Sequence, residues 1–365
     1  HVRISTKRPR ATKKGLLISI MQVIRSSLSL KNIALLILGL LTIFGGIAIF
    51  SDGNKILQVL QQAHWGWLPI AVIFMVLSYF LTSYSFARVN RMLGIPINTR
   101  RLTEIGFTTT ALNHLFTTGG LAGNSLRYLL MKGPGVGIKD VITTSVIHFY
   151  LTSLIMLGML PLGLIYFILH ASVPPGTAII ISIVTFLAVT FFVVGSILFF
   201  VPEKRKPIMR AISRLTHRIF KKDVEAEIDQ INNSFTRGVS ELRSQPQKTF
   251  RILGLIFGDW LMSAAALWFC FYALGYLLNF GDLIAGFVIG IVSGVLSMIP
   301  GGLGIQEGSM AGIFTLLGST FEQAILASIL FRVVYYILPY IVSLVLTYWL
   351  LHTKEDREVV PEVEG

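Results

Sequence analysis

Ser297-Met298-Ile299-Pro300-Gly301-Gly302-Leu303-Gly304-Ile305-Gln306-Glu307 interrupts a long apolar region with a proline, three glycines and a carboxylate. Leu330-Phe331-Arg332-Val333-Val334-Tyr335-Tyr336 then places a guanidinium inside the next apolar run. In lipid, broken backbone leaves polar groups unsatisfied, and a central Arg or Asp costs roughly 2.5 to 3.5 kcal/mol on insertion scales. Residues of this kind in such a setting mark a transport or binding path.

The rest of the chain fits a bilayer. Of its 365 residues, 53% are hydrophobic and 13% charged, and the mean hydropathy is +0.72, far more apolar than a soluble domain. The expected fold is an all-α polytopic membrane protein. Crossing a core of about 30 Å takes roughly 20 helical residues. Windows of that kind occur near 33–51, 67–87, 141–169, 177–201, 252–276 and 323–351, giving six full spans. Two further stretches, 104–130 and 283–319, are interrupted by Gly119-Gly120 and by Pro300-Gly301-Gly302. Each reads as a hairpin of two half-helices, re-entrant or fully crossing. The first apolar run sits behind some thirty polar or basic residues and is about nineteen long, which does not suit a cleavable signal peptide. The single Cys270 lies in an expected span and says nothing about redox compartment.

Charge gives the orientation. Under this layout 29 of the 31 Lys and Arg residues fall on one side, leaving Lys55 on the other face and Arg332 within a span. The positive-inside rule then puts both termini and the 202–251 loop in the cytoplasm, as expected of a multi-pass protein of the cell inner membrane. The net charge of +13 and pI near 9.9 are thereby explained by topology, and no nucleic-acid-binding motif accompanies them. The parts are a basic arm at 1–32, a first membrane half at 33–201, the basic loop, a second membrane half at 252–351 and a cytoplasmic tail at 352–365. Within the loop, Ile208, Ile212, Leu215, Ile219 and Phe220 alternate at helical spacing with Arg210, Arg214, Arg218, Lys221 and Lys222. This is either an interfacial helix on anionic lipid or a helix packed on the ends of the bundle.

Span 67–87, hairpin 104–130 and span 141–169 recur in order as 252–276, 283–319 and 323–351, shifted by roughly 180 to 185 residues. Gly119-Gly120-Leu121-Ala122-Gly123 falls on Gly301-Gly302-Leu303-Gly304-Ile305. One unit would enter from outside and the other from inside, an inverted repeat of the kind found in transporters. Half-helices beginning at about Leu121 and Leu303 would present unpaired N–H groups suited to a phosphate or carboxylate. Glycines that only allow close helix packing are the competing reading.

Several side chains could serve such a path. Arg332, flanked by Tyr335, Tyr336 and Tyr340 and followed by a kink at Pro339, needs a partner, and Glu307 is the first choice ahead of Asp259, a lipid phosphate or a water-filled cavity. The pair would be a structural lock or a gate. Arg127, in Gly123-Asn124-Ser125-Leu126-Arg127, is the analogous phosphate contact, with snorkelling to the interface as the alternative. Asp259 is expected close enough to the interface to be solvated. His114 and His148 could carry protons or simply pack, and Asn113, Thr117 and Thr118 could line the path. Metal-ligand spacing, a phosphate-loop lysine and a supported Ser-His-Asp set are all missing from the sequence. Neither a metal nor a cofactor is expected.

Pro300-Gly301-Gly302-Leu303-Gly304 with Glu307, then Leu316-Leu317-Gly318, Ala324, Arg332, Tyr336 and Pro339, resembles the closing block of the lysylphosphatidylglycerol synthase/flippase transmembrane-region family. Gly119-Gly120 through Gly123-Asn124 and Arg127 resembles its first block, and the likeness runs from about residue 30 to 352. Asn124 stands where many relatives have Glu, and His148 to Tyr150 lie where an Arg and Asp pair is common. The resemblance implies movement of a phospholipid, such as lysylphosphatidylglycerol, from the inner to the outer leaflet. The family's synthase half needs a further soluble domain of several hundred residues, so synthesis is not expected here, and a separate lipid synthase could be a partner. A membrane-embedded enzyme acting on a lipid-linked phosphate or sugar, with Glu307 and a His as acid and base, is the alternative; a non-transporting partner of a lipid synthase is another.

Overall fold

A computed structural model describes residues 52–115, 121–132, 136–171, 175–205, 207–208, 225–297 and 299–352, together with Gly45. The described residues are overwhelmingly helical. Asp52 caps α1 (Gly53–Gln61) by accepting from the Asn54 N–H at 2.9 Å. A short 3-10 turn at Trp65–Trp67 leads into α2 (Leu68–Met92). There follow α3 (Thr99–Leu115), α4 (Leu121–Met131), α5 (Ile138–His170) and α6 (Pro175–Phe200). After α7 (Glu225–Ser244) come α8 (Pro246–Ala273), α9 (Phe280–Leu296), α10 (Ile305–Leu316), α11 (Phe321–Arg332) and α12 (Leu338–His352).

Four helices are long and apolar enough to cross a bilayer: Trp65–Met92, Ile138–His170, Pro246–Ala273 and Phe321–His352. They match four of the six expected spans and, at 1.5 Å per residue, reach about 42 to 50 Å. The fifth expected span coincides with α6, a 26-residue helix. The sixth, 33–51, lies outside the described residues apart from Gly45, as do the 1–32 arm, the 353–365 segment and all but the start of the amphipathic stretch around 208–222. The two glycine-broken stretches are pairs of shorter helices, α3 with α4 and α9 with α10. At 17 residues or fewer, none of the four reaches more than about 26 Å.

The long helices α2 and α8 form the main seam. Ala71, Met75 and Tyr79 from α2 are buried with Ile256, Ala264 and Leu267 from α8. Around this seam, helices far apart in the chain pack on one another: α3 on α12, and α9 on α5. The earlier and later parts of the chain therefore interlock. Lipid offers no hydrophobic reward for helix association, so close backbone approach and hydroxyl contacts must hold the seam. Gly163 of α5 provides such an approach, since a Cβ there would lie 3.3 Å from Ala285 Cα on α9.

The last span contains a π turn at Val333–Ile337, just before Pro339. Proline supplies no N–H to the carbonyl four residues back, which is that of Tyr335. That carbonyl accepts instead from the Tyr79 hydroxyl at 2.9 Å. The Tyr335 carbonyl thus faces α2 from the π turn before Pro339.

Candidate functional site

The second hairpin turns on three glycines with positive φ: Gly301 at 64°, Gly302 at 62° and Gly304 at 84°. An L-residue rarely adopts this region, so the turn demands glycine. Gly302 also meets Gly294 so closely that an added Cβ would lie 2.9 Å from its Cα. Because Gly304 is still non-helical, α10 begins at Ile305, two residues later than the sequence suggested. Glu307 then falls at the third helical position, and its Oε2 accepts from the Gly304 N–H at 2.7 Å. A carboxylate in the first turn satisfies an orphan donor and complements the helix dipole.

The other oxygen of Glu307 accepts from Arg332 Nε, forming the pair expected from the sequence. Both residues are buried, at 1% and 6% exposure. Arg332 Nη1 donates to the Gly301 carbonyl at 2.8 Å, and the guanidinium lies 4.6 Å over the Tyr336 ring. Tyr336 donates to Gln306 Oε1 at 2.9 Å. Arg332 Nη2 is buried without a hydrogen-bond partner. One side chain on the last span thereby grips both the turn and the first turn of α10.

The tip of this hairpin abuts the first one. A Cβ on Gly301 would lie 3.0 Å from the Leu115 carbonyl and 3.5 Å from that of His114, at the end of α3. His114 Nδ1 is 3.0 Å from the Tyr79 hydroxyl, and its ring lies against Tyr335 and Tyr336. Gly119 and Gly120, with Thr117 and Thr118, lie outside the described residues. Asn113 Oδ1 accepts from the Gly123 N–H at 2.9 Å, and α4 begins at Leu121 as expected.

Arg127 does not snorkel. It is 5% exposed, with Nε donating to Thr109 Oγ1 at 2.9 Å, Nη1 to Ser145 Oγ at 3.2 Å, and the guanidinium 4.3 Å over Phe86. His148 approaches the same ring edge-on, and its Nε2 is 2.8 Å from Ser85 Oγ. Asn124, one turn before Arg127, is half-buried. Asp259 departs from the sequence expectation of a solvated group near the interface. It is buried at 7% exposure and accepts from Ser78 Oγ, which is 2.6 Å from the Tyr335 hydroxyl. Helix packing explains the difference, because Ser78 of α2 and Tyr335 of the π turn cover Asp259. Arg332 and Arg127 therefore occupy two centres, one beside each hairpin, and Asp259 and His114 join the first through Tyr335.

Pro300 to Arg332 contribute most of the first centre, and the sequence there matches the family model described as "Lysylphosphatidylglycerol synthase TM region" over residues 33–343. The chain belongs to this family. A UPF0104 membrane protein of Methanothermobacter thermautotrophicus is 29% identical over 118 residues, 32% of each chain. A phosphatidylglycerol lysyltransferase of Staphylococcus aureus is 32% identical over 119 residues, 31% of this chain and 14% of that one. The matched segments thus span a third or less of these relatives.

Sequence reasoning passed over Ser78, Tyr79 and Ser85 on α2, Thr109 on α3, Ser145 on α5, and Gln306. A signal existed for the first helix: Ser78, Thr82 and Ser85 recur at spacings of four and three, one polar stripe on an apolar helix. Among the described residues, no group of three or more His, Cys, Asp or Glu could hold a metal ion.

Proposed function

We propose that this protein is a phospholipid translocator, a flippase or scramblase that passes an anionic or aminoacylated phospholipid such as lysylphosphatidylglycerol between leaflets of the inner membrane. The observation that carries this reading is the buried Arg332–Glu307 pair clamped on a positive-φ glycine turn where the two hairpins meet. Buried charge and broken helix at one point of a membrane bundle suit a headgroup path, with the acyl tails left in lipid. The hairpins are re-entrant halves of an inverted repeat, and both termini face the cytoplasm, where basic loops touch anionic lipid. Arg127, Arg332, Tyr336, Asn124 and the glycine turns line the route; Asp259, His148 and His114 supply gating or proton sites. The protein is not an enzyme, takes no cofactor and does not bind nucleic acid. A separate synthase makes the lipid it carries. Family membership supports the substrate class, as does the likeness of an S. aureus phosphatidylglycerol lysyltransferase over 119 residues.

The test is leaflet exchange in proteoliposomes holding a fluorescent phosphatidylglycerol, read by quenching of the outer leaflet. Wild type is expected to expose nearly all of the probe, and Arg332→Ala, folded by size-exclusion profile, only the outer half. Conversion of the lipid into a new chemical species would instead favour a membrane-embedded enzyme.

A further inference from the structure

The two guanidinium centres differ in one respect that the path alone does not explain. Arg332 is neutralised by Glu307 and tied to the Gly301 carbonyl. Arg127 is as deeply buried, yet its own contacts are uncharged groups: two hydroxyls, from Thr109 and Ser145, and the face of Phe86, with the His148 ring edge-on beyond it. Among the described residues no carboxylate pairs with it, and its Nη2 donates to none of them. Asn124, one helical turn away on α4, has the length of a carboxylate side chain but not the charge. A buried cation without a counter-ion is costly, and an anion that arrives from outside the protein removes that cost.

Resting on the proposed path, we infer that Arg127 is the residue that takes the substrate's phosphate oxyanion, while Arg332 and Glu307 are an internal lock that shapes the second hairpin. The ligand class is a singly charged phosphodiester presented by a lipid. The planar guanidinium uses Nε and Nη1 on Thr109 and Ser145, which fixes its orientation and leaves Nη2 for the ligand. A hydroxyl-rich wall suits this role, since it adds no charge to compete with the incoming oxyanion.

The experiment is lipid binding by native mass spectrometry on the purified, delipidated protein, independent of transport. Phosphatidylglycerol, diacylglycerol and inorganic phosphate are titrated separately. Wild type is expected to retain phosphatidylglycerol about tenfold more tightly than Arg127→Gln, the size of one charge-assisted hydrogen-bonded contact. Diacylglycerol should not distinguish the two, and inorganic phosphate should bind weakly if the acyl chains are needed. Binding of phosphate as tight as that of the lipid would overturn a lipid as the source. Asn124→Glu keeps Arg127 but places a carboxylate three residues away on the same helix face, and should weaken phosphatidylglycerol to a similar extent. It decides the matter if Arg127→Gln does not fold. Lys248→Gln, an exposed charge on α8, should bind as wild type. Undiminished phosphatidylglycerol binding in both Arg127→Gln and Asn124→Glu overturns the inference, whatever the transport result. Arg127-dependent binding without leaflet exchange would instead overturn the translocator reading alone.

Discussion

Tyr79 on α2 donates its hydroxyl to the backbone carbonyl of Tyr335 at 2.9 Å, the carbonyl that Pro339 leaves without its helical donor. Two elements more than 250 residues apart are thereby matched group for group. The π turn that this carbonyl belongs to is also what brings Tyr335 and Tyr336 beside His114 and Arg332.

Tyr79→Phe should destabilise the protein by about 1 to 3 kcal/mol, because a buried carbonyl loses its partner. Pro339→Ala restores an N–H to the helix, so the same substitution should be milder in that background. Thermal unfolding in detergent of the two single variants and the double variant gives the coupling directly. Additive losses would show that the hydroxyl and the proline do not serve the same carbonyl.

Arg332→Met alone and Glu307→Leu alone should each lower stability by about 3 to 5 kcal/mol, since each strands a buried charge. The double variant should recover part of that loss, although the Gly304 N–H still lacks its carboxylate acceptor. Tm by intrinsic fluorescence is the readout. A double variant less stable than both singles would mean that the pair is not primarily a charge lock.

Gly302→Ala places a Cβ at φ +62° and against Gly294, and should cost about 1 to 3 kcal/mol in folded stability. Gly308, inside α10 with open space around its Cα, is the contrasting site. Gly308→Ala should be neutral or stabilise by about 0.5 to 1 kcal/mol. Equal effects at the two positions would remove the conformational argument for the turn.

Arg205 ties α7 to the end of α6. Its Nε donates to Asn232 Oδ1 at 2.7 Å and its Nη1 to the Phe199 carbonyl at 3.1 Å, with the guanidinium 4.6 Å over Phe235. Burial holds its pKa below the ordinary arginine value, with Glu203 opposing that shift. Arg205→Lys keeps a charge but loses the fork, and should speed amide exchange across Glu225–Ser244 about as much as Arg205→Ala. Protection retained in the lysine variant would show that charge alone docks the helix.

Much was legible in the chain before any coordinates. Long apolar runs and the glycine breaks announce long helices and pairs of shorter ones, because those features depend on residues close in sequence and on the thickness of a bilayer. Glu307 and Arg332 were also readable as partners, since an isolated guanidinium in lipid must find an acid and few acids were available. Asp259 was misplaced as a solvated residue. Its position along α8 says how deep it lies, but not that α2 and the π turn cover it.

The amino-acid order by itself determined that this protein crosses a membrane on apolar helices, breaks at Pro300-Gly301-Gly302 and carries a charge that demands pairing. Only the tertiary structure decided which neutral groups surround Arg127, which hydroxyl answers the Tyr335 carbonyl, and where the two hairpins touch. Hydropathy and backbone propensity act over a few turns of helix. Partner choice depends on the interlocking of α3 with α12 and of α9 with α5, contacts that form between segments far apart in the chain.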